Sequence, residues 1–236
     1  MDAGGLVVKA RGVPRLLDDI KMTEGTDHPI HFNLYVITDR TLCAPRSLYD
    51  VLHELLDHGV NAIQLREKDL SDSEFIALAQ PIAKLCRSYS AQLFINSRIT
   101  LAVDLGAAGV HLPEHSGSID AIRGASEQRL LIGCSIHTLE AAKKRAAEGA
   151  DFITYSPIFL SASKPGYGPA VGVENLGKVA RAVKCPVFAL GGVTPERVSA
   201  CIRAGAHGVA VMSGILSPEM GGARAKAYLQ ALRSTE

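Results

Sequence analysis

One phrase recurs along this chain and limits what it can fold into. His58-Gly59-Val60-Asn61-Ala62-Ile63, Leu105-Gly106-Ala107-Ala108-Gly109-Val110, Glu148-Gly149-Ala150-Asp151-Phe152-Ile153 and Ala204-Gly205-Ala206-His207-Gly208-Val209 are variants of it. Each ends an amphipathic helical stretch on a glycine suited to the left-handed C-cap conformation, then opens a short apolar or β-branched run. The remaining sequence continues the alternation. Strands are predicted near 33–39, 61–66, 91–96, 108–112, 130–134, 151–155, 186–190 and 207–212. Helical patterns lie near 46–57, 72–88, 98–105, 117–124, 138–148, 173–183, 195–204 and 218–233. Eight apolar strands, each followed by an amphipathic helix, predict an α/β fold with one parallel sheet covered by helices. Eight units suggest closure into a single (β/α)8 TIM barrel. An open doubly wound sheet would more often carry a glycine-rich phosphate loop after its first strand. Thr38-Asp39-Arg40 stands there instead. The barrel is assigned to residues 33–236, and residues 1–32 to an N-terminal extension that is loose or holds a short helix over Pro14 to Met22.

Bulk properties narrow the partners. A formal net charge of +1 and a pI near 7.7 give no reason to expect nucleic acid or an acidic membrane surface, so any basic site must be local. No apolar run approaches the length of a membrane helix, and the first thirty or so residues lack the continuous apolar stretch of a secretory signal. Cys43, Cys86, Cys134, Cys185 and Cys201 are scattered without a CxxC pair. That pattern argues against a disulfide framework or structural zinc and fits a reducing cytosol. The expectation is a cytoplasmic protein with a small-molecule ligand; a homo-oligomer stays open.

A barrel of this kind carries its chemistry at the C-terminal strand ends. At the second strand, Gln64, Arg66 and Lys68 share one face because side chains alternate. Two cations and an amide suit an anion, although a merely solvated strand end would read the same. The third strand ends in Asn96 beside Ser97. The fifth ends in Ser135-Ile136-His137, with Thr138 placed to cap the next helix. His137 is a candidate general acid/base, and a packing histidine is an equal reading of its position. After the seventh and eighth strands, Gly191-Gly192 and Met212-Ser213-Gly214 suit a phosphate held by backbone N–H groups. A long loop after the sixth strand carries Ser161, Ser163 and Lys164; it reads as a lid holding a further anion, or as a solvated connection.

Taken in this order, Tyr35-Val36-Ile37-Thr38-Asp39, Gln64-Leu65-Arg66-Glu67-Lys68, Ser135-Ile136-His137-Thr138, Ser161-x-Ser163-Lys164, Gly191-Gly192 and Met212-Ser213 resemble the thiamine phosphate synthase/TenI superfamily. In the synthase branch, the resemblance implies that Gln64, Arg66, Lys68, Asn96 and Lys164 hold a pyrimidine diphosphate. It implies that Ser161, Ser163, Gly192, Met212 and Ser213 hold a thiazole phosphate. It further implies magnesium on two aspartates, whose positions here are Ser97 and about Ser116, with Glu114 two residues out of register. Magnesium prefers carboxylate and phosphate oxygens, and a serine hydroxyl is a poor substitute. The loss of both carboxylates turns the expectation toward the TenI-like branch: a metal-independent isomerase that aromatises a carboxythiazole phosphate, with His137 moving the proton and no cofactor. The alternatives are thiamine-phosphate synthase using Mg2+, and a non-catalytic sensor of thiamine phosphates.

Overall fold

The computed structural model describes residues 30–124, 130–160, 169–217 and 219–235. The proposed extension up to residue 29 and the loop bearing Ser161, Ser163 and Lys164 therefore lie outside the described residues.

The eight strands are β1 Leu34–Ile37, β2 Ala62–Leu65, β3 Gln92–Asn96, β4 Gly109–Leu112, β5 Leu131–Ile136, β6 Phe152–Tyr155, β7 Val187–Leu190 and β8 Gly208–Val211. They pair in parallel, each with its sequence neighbour, and β8 closes on β1 through Leu34 opposite Val209. The helices between and after them are α1 Leu48–Asp57, α2 Asp72–Ser88, α3 Ile99–Asp104, α4 Ile119–Gly124, α5 Leu139–Ala147, α6 Gly172–Ala182, α7 Pro195–Arg203 and α8 Gly221–Arg233. This is the (β/α)8 barrel that the repeated phrase demands. The phrase glycines Gly59, Gly106, Gly149 and Gly205 all have positive φ, the backbone state that ends a helix cheaply only without a side chain.

Strand alternation sorts the core into two layers. Leu34, Val36, Ile63, Leu65, Leu93, Ile95, Val110, Ile132, Ile153 and Val209 point outward and pack under the helices. Tyr35, Ala62, Phe94, Phe152, Phe188 and Ala210 point inward and fill the barrel, with Ile30 and Phe32 joining them. Phe32 lies 5.1–5.7 Å from the rings of Tyr35, Phe94, Phe152 and Phe188, so aromatic edges and faces close the floor beneath the strands' N-terminal ends. Gly133 makes room for this filling: a Cβ there would fall 2.3 Å from the Phe152 ring and 2.6 Å from His111 Nδ1. Below the mouth the barrel is thus packed solid. Above this floor the inward positions turn polar.

Candidate active site

The inward layer at the C-terminal ends of the strands contains Gln64, Asn96, His111, Ser135 and Thr154 by the alternation that places phenylalanines below them. Gln64 is only 1% exposed, and its Nε2 donates to the Tyr35 hydroxyl at 3.3 Å. The Tyr35 oxygen is 3.4 Å from His111 Nδ1, and His111 Nε2 is 3.1 Å from Ser135 Oγ and 3.4 Å from Thr154 Oγ1. These contacts link Gln64, Tyr35, His111, Ser135 and Thr154 into one chain of polar groups across the barrel. Burial holds His111 neutral, its pKa pushed down to about 3, and the nearby Arg66 cation acts in the same direction. The same burial pushes the Tyr35 phenol well above its ordinary range. The strand floor therefore presents neutral, directional hydrogen-bonding groups, suited to an uncharged heteroaromatic ring more than to an anion.

The anion-holding character lies at the rim. Beyond β2, Arg66 is partly exposed and Lys68 exposed, while Glu67 between them is buried. Two fasteners hold this segment. Thr38 Oγ1 accepts from Arg66 N at 2.9 Å and donates to Glu67 Oε1 at 2.6 Å. Arg98 donates from Nη1 to Glu67 O at 3.2 Å and from Nη2 to Leu70 O at 2.5 Å, with its guanidinium 4.3 Å from the Phe75 ring centre. Arg98 reaches back because Ser97 takes a left-handed conformation (φ 62°), turning the chain sharply out of β3. Asn96 Nδ2 donates to Ser97 Oγ at 3.2 Å.

On the facing side, His137 precedes α5, and Thr138 caps that helix by accepting from Ala141 N at 3.1 Å. His137 Nδ1 is 2.9 Å from the Ser156 carbonyl, which can only accept, so Nδ1 carries a proton and donates it there. Its backbone N–H donates to Glu114 Oε2 at 2.7 Å. Gly191 and Gly192 have φ of 94° and 60°, and a Cβ on Gly192 would lie 2.5 Å from Leu160 O. Both the torsion and the close approach require glycine at 192. Arg197 fixes this turn, donating to Gly192 O at 2.7 Å while its guanidinium stacks 4.7 Å from the Phe159 ring centre. Met212 packs against both core layers, and Ser213 stands exposed just past β8. The residues singled out from sequence and described here thus ring one mouth, at the ends of β2, β3, β5, β7 and β8.

Magnesium on carboxylates does not fit the described residues of this mouth. Among the described residues, no three His, Cys, Asp or Glu side chains come together as a metal cluster. Glu67 is committed to Thr38 and Arg40, and Glu114 to the His137 amide. Ser116 Oγ accepts from the Arg145 guanidinium at 2.8 Å, so a positive charge already occupies its neighbourhood. Glu114 does not make good the missing carboxylates.

Several contributors escape the pattern-based reading. His111 and Tyr35 sit at inward positions of β4 and β1, and a polar side chain in an otherwise apolar buried strand is the signal that could have found them. Thr38, Arg98 and Arg145 act through hydrogen bonds distant in sequence, and Arg197 pairs a nearby carbonyl with the distant Phe159 ring, which no local pattern carries.

The chain matches the family model described as "Thiamine monophosphate synthase" over residues 34–215. It is 39% identical over 183 residues to a protein named thiamine-phosphate synthase from Roseiflexus castenholzii, covering 78% of this chain and 80% of that one. A Methanoculleus marisnigri protein of the same name is 36% identical over 185 residues, covering 78% and 88%. The solved thiamine phosphate pyrophosphorylase of Pyrococcus furiosus superposes with a TM-score of 0.77 at 28% identity, covering 86% of this chain and 96% of that one. These likenesses overturn the expectation of an isomerase. Relatives 33–39% identical carry the name of the synthase, a transferase, and the expectation had rested on two missing aspartates. A missing pair of metal ligands describes how a site handles charge; it does not change which reaction the rest of the mouth resembles. With the barrel, the motif order and the match over residues 34–215 in agreement, the chain belongs to the thiamine monophosphate synthase family.

Proposed function

We propose that this chain is a transferase of the thiamine-phosphate synthase type, joining a pyrimidine diphosphate to a thiazole phosphate with release of diphosphate. The observation that carries the reading is its likeness, over most of its length, to relatives bearing that name. The geometry supports it with two features on opposite sides of one mouth. A neutral hydrogen-bonding floor of Gln64, Tyr35, His111 and Ser135 lies beside the cationic rim of Arg66 and Lys68. Across from it stands the glycine turn of Gly191 and Gly192, next to Met212 and Ser213.

In the reaction, the bond between the pyrimidine-bearing carbon and diphosphate breaks, and diphosphate leaves with the electron pair. The thiazole ring nitrogen supplies the pair for the new bond to that carbon. The sum of these steps transfers no proton, so His137 is assigned to polar contact with substrate and loses its role as a shuttle. Arg66 and Lys68 meet the growing charge on the leaving group, the kind of fixed electrostatic stabilisation that accounts for much of many enzymes' rate. Gly192 and Ser213 hold the thiazole's phosphate. Ser97 and Ser116 stand where the resemblance places a pair of metal-binding aspartates, so among the described residues this charge falls to the cations.

Purified protein given both substrates is expected to form thiamine phosphate and diphosphate in equal amounts. Arg66→Ala should lower kcat/KM about 10²-fold, by removing a charged contact that strengthens as the leaving group departs. Absence of thiamine phosphate at saturating substrate would refute the assignment.

A further inference from the structure

We propose that Glu67 is the positioning residue of the diphosphate arm: its buried carboxylate fixes the path of the chain so that Arg66 and Lys68 present their cations to the mouth. The inference rests on the transferase reading and extends it to a residue that does not itself face substrate. Glu67 lies between the two cations, yet it is only 3% exposed. By strand alternation it continues the outward row of Ile63 and Leu65, while Arg66 continues the inward row of Gln64.

The carboxylate gathers donors from β1's exit. Thr38 Oγ1 donates to Oε1 at 2.6 Å, Arg40 N donates to Oε1 and Oε2 at 3.2 and 3.1 Å, and Arg40 Nη1 donates to Oε2 at 3.2 Å. Thr38 is itself fully buried, and its oxygen accepts the Arg66 N–H. One hydroxyl thus links the Arg66 backbone to the Glu67 carboxylate. Arg40 also grips Asp69 through both guanidinium nitrogens, at 2.7 and 2.6 Å, so the clamp spans residues 66–69. A charge this buried stays paired only if the clamp closes, and closing it leaves the two flanking side chains on the mouth side.

The test separates positioning from mere stability. Inorganic diphosphate is titrated by calorimetry into wild type, Glu67→Gln, Arg66→Ala and the double variant. Glu67→Gln keeps an acceptor for Thr38 and loses the charge that holds Arg40. It is expected to weaken diphosphate binding about tenfold or more, since small misplacements of a charged contact cost on that scale. The KM for thiazole phosphate, bound across the mouth, should stay within about twofold. In the Arg66→Ala background the same change should cost much less, because coupled residues are non-additive. Arg40→Gln is expected to act in the same direction and serves as the test if Glu67→Gln does not fold. A folded Glu67→Gln protein binding diphosphate like wild type, or losing as much in the Arg66→Ala background, would overturn the positioning role alone. Wild-type protein that does not bind diphosphate would overturn the transferase reading with it.

Discussion

His111 shows what burial does to a titratable side chain in a barrel. Its ring is 2% exposed, sits among Tyr35, Ser135 and Thr154, and stays neutral down to about pH 3. In the unfolded chain a histidine takes up a proton near pH 6.5. Between those values the unfolded state binds the extra proton, so stability rises with pH and is lost as pH falls through this window. The loss attributable to one such group approaches about 1.4 kcal/mol per pH unit. In denaturant unfolding, wild type should lose more stability between about pH 6 and pH 4 than His111→Asn does, the difference approaching this slope; equal losses would refute it. The sequence displayed His111 openly, as the one ionisable side chain in Gly109-Val110-His111-Leu112. It did not display the partners, because Ser135 comes alongside only when β5 pairs with β4, and Tyr35 on β1 only when the sheet closes into a barrel.

At the scale of elements, arginines that staple mouth loops are the recurring device. Arg98 holds the segment after β2, Arg197 the turn after β7, and Arg145 the loop after β4. Arg145 is the most deeply set, 3% exposed, on α5. It donates to Glu114 O, Ser116 O and Gly117 O at 2.7, 2.7 and 3.1 Å, to Ser116 Oγ at 2.8 Å, and to Glu148 at 2.7 Å. A planar fork with five donors suits such a cluster of carbonyls, and a lysine would not span it. Arg145→Met should cost about 2–4 kcal/mol, since it strips carbonyls and one carboxylate of their partner at once. Hydrogen exchange at the His137 amide should speed up in the same variant, because its acceptor Glu114 belongs to the released loop. From sequence, α5 and its Thr138 cap were legible through periodicity and residue type. The task of Arg145 was not, since a basic residue late in a helix also reads as an ordinary partner of the helix dipole.

For the whole molecule, closure of the sheet decides how charge is distributed around the mouth. Cations gather beside β2, neutral groups line the floor, and the carboxylates of Glu67 and Glu114 are already held by Thr38, Arg40 and the His137 amide. Magnesium titrated calorimetrically into ligand-free protein is therefore expected to give no saturable heat at millimolar concentration; a saturable signal would show that carboxylates assemble there after all. No helix among the described residues is long and apolar enough to cross a membrane, in keeping with the hydropathy of the sequence. The sequence by itself determined the number and order of strands and helices, and which strand ends would carry polar groups. Periodicity, helix-ending glycines and capping residues are local signals, each acting within a turn or two. It also showed the absence of the paired aspartates, but weighing that absence above the rest of the mouth led to the wrong reaction. Only the tertiary structure decided what holds those polar groups in place. Apart from Glu148, three residues from Arg145, the carboxylate of Glu67, the ring of His111 and the guanidinium of Arg145 find their partners 24 to 76 residues away for a physical reason. A buried charge or polar ring must be satisfied by whatever the closed barrel sets beside it.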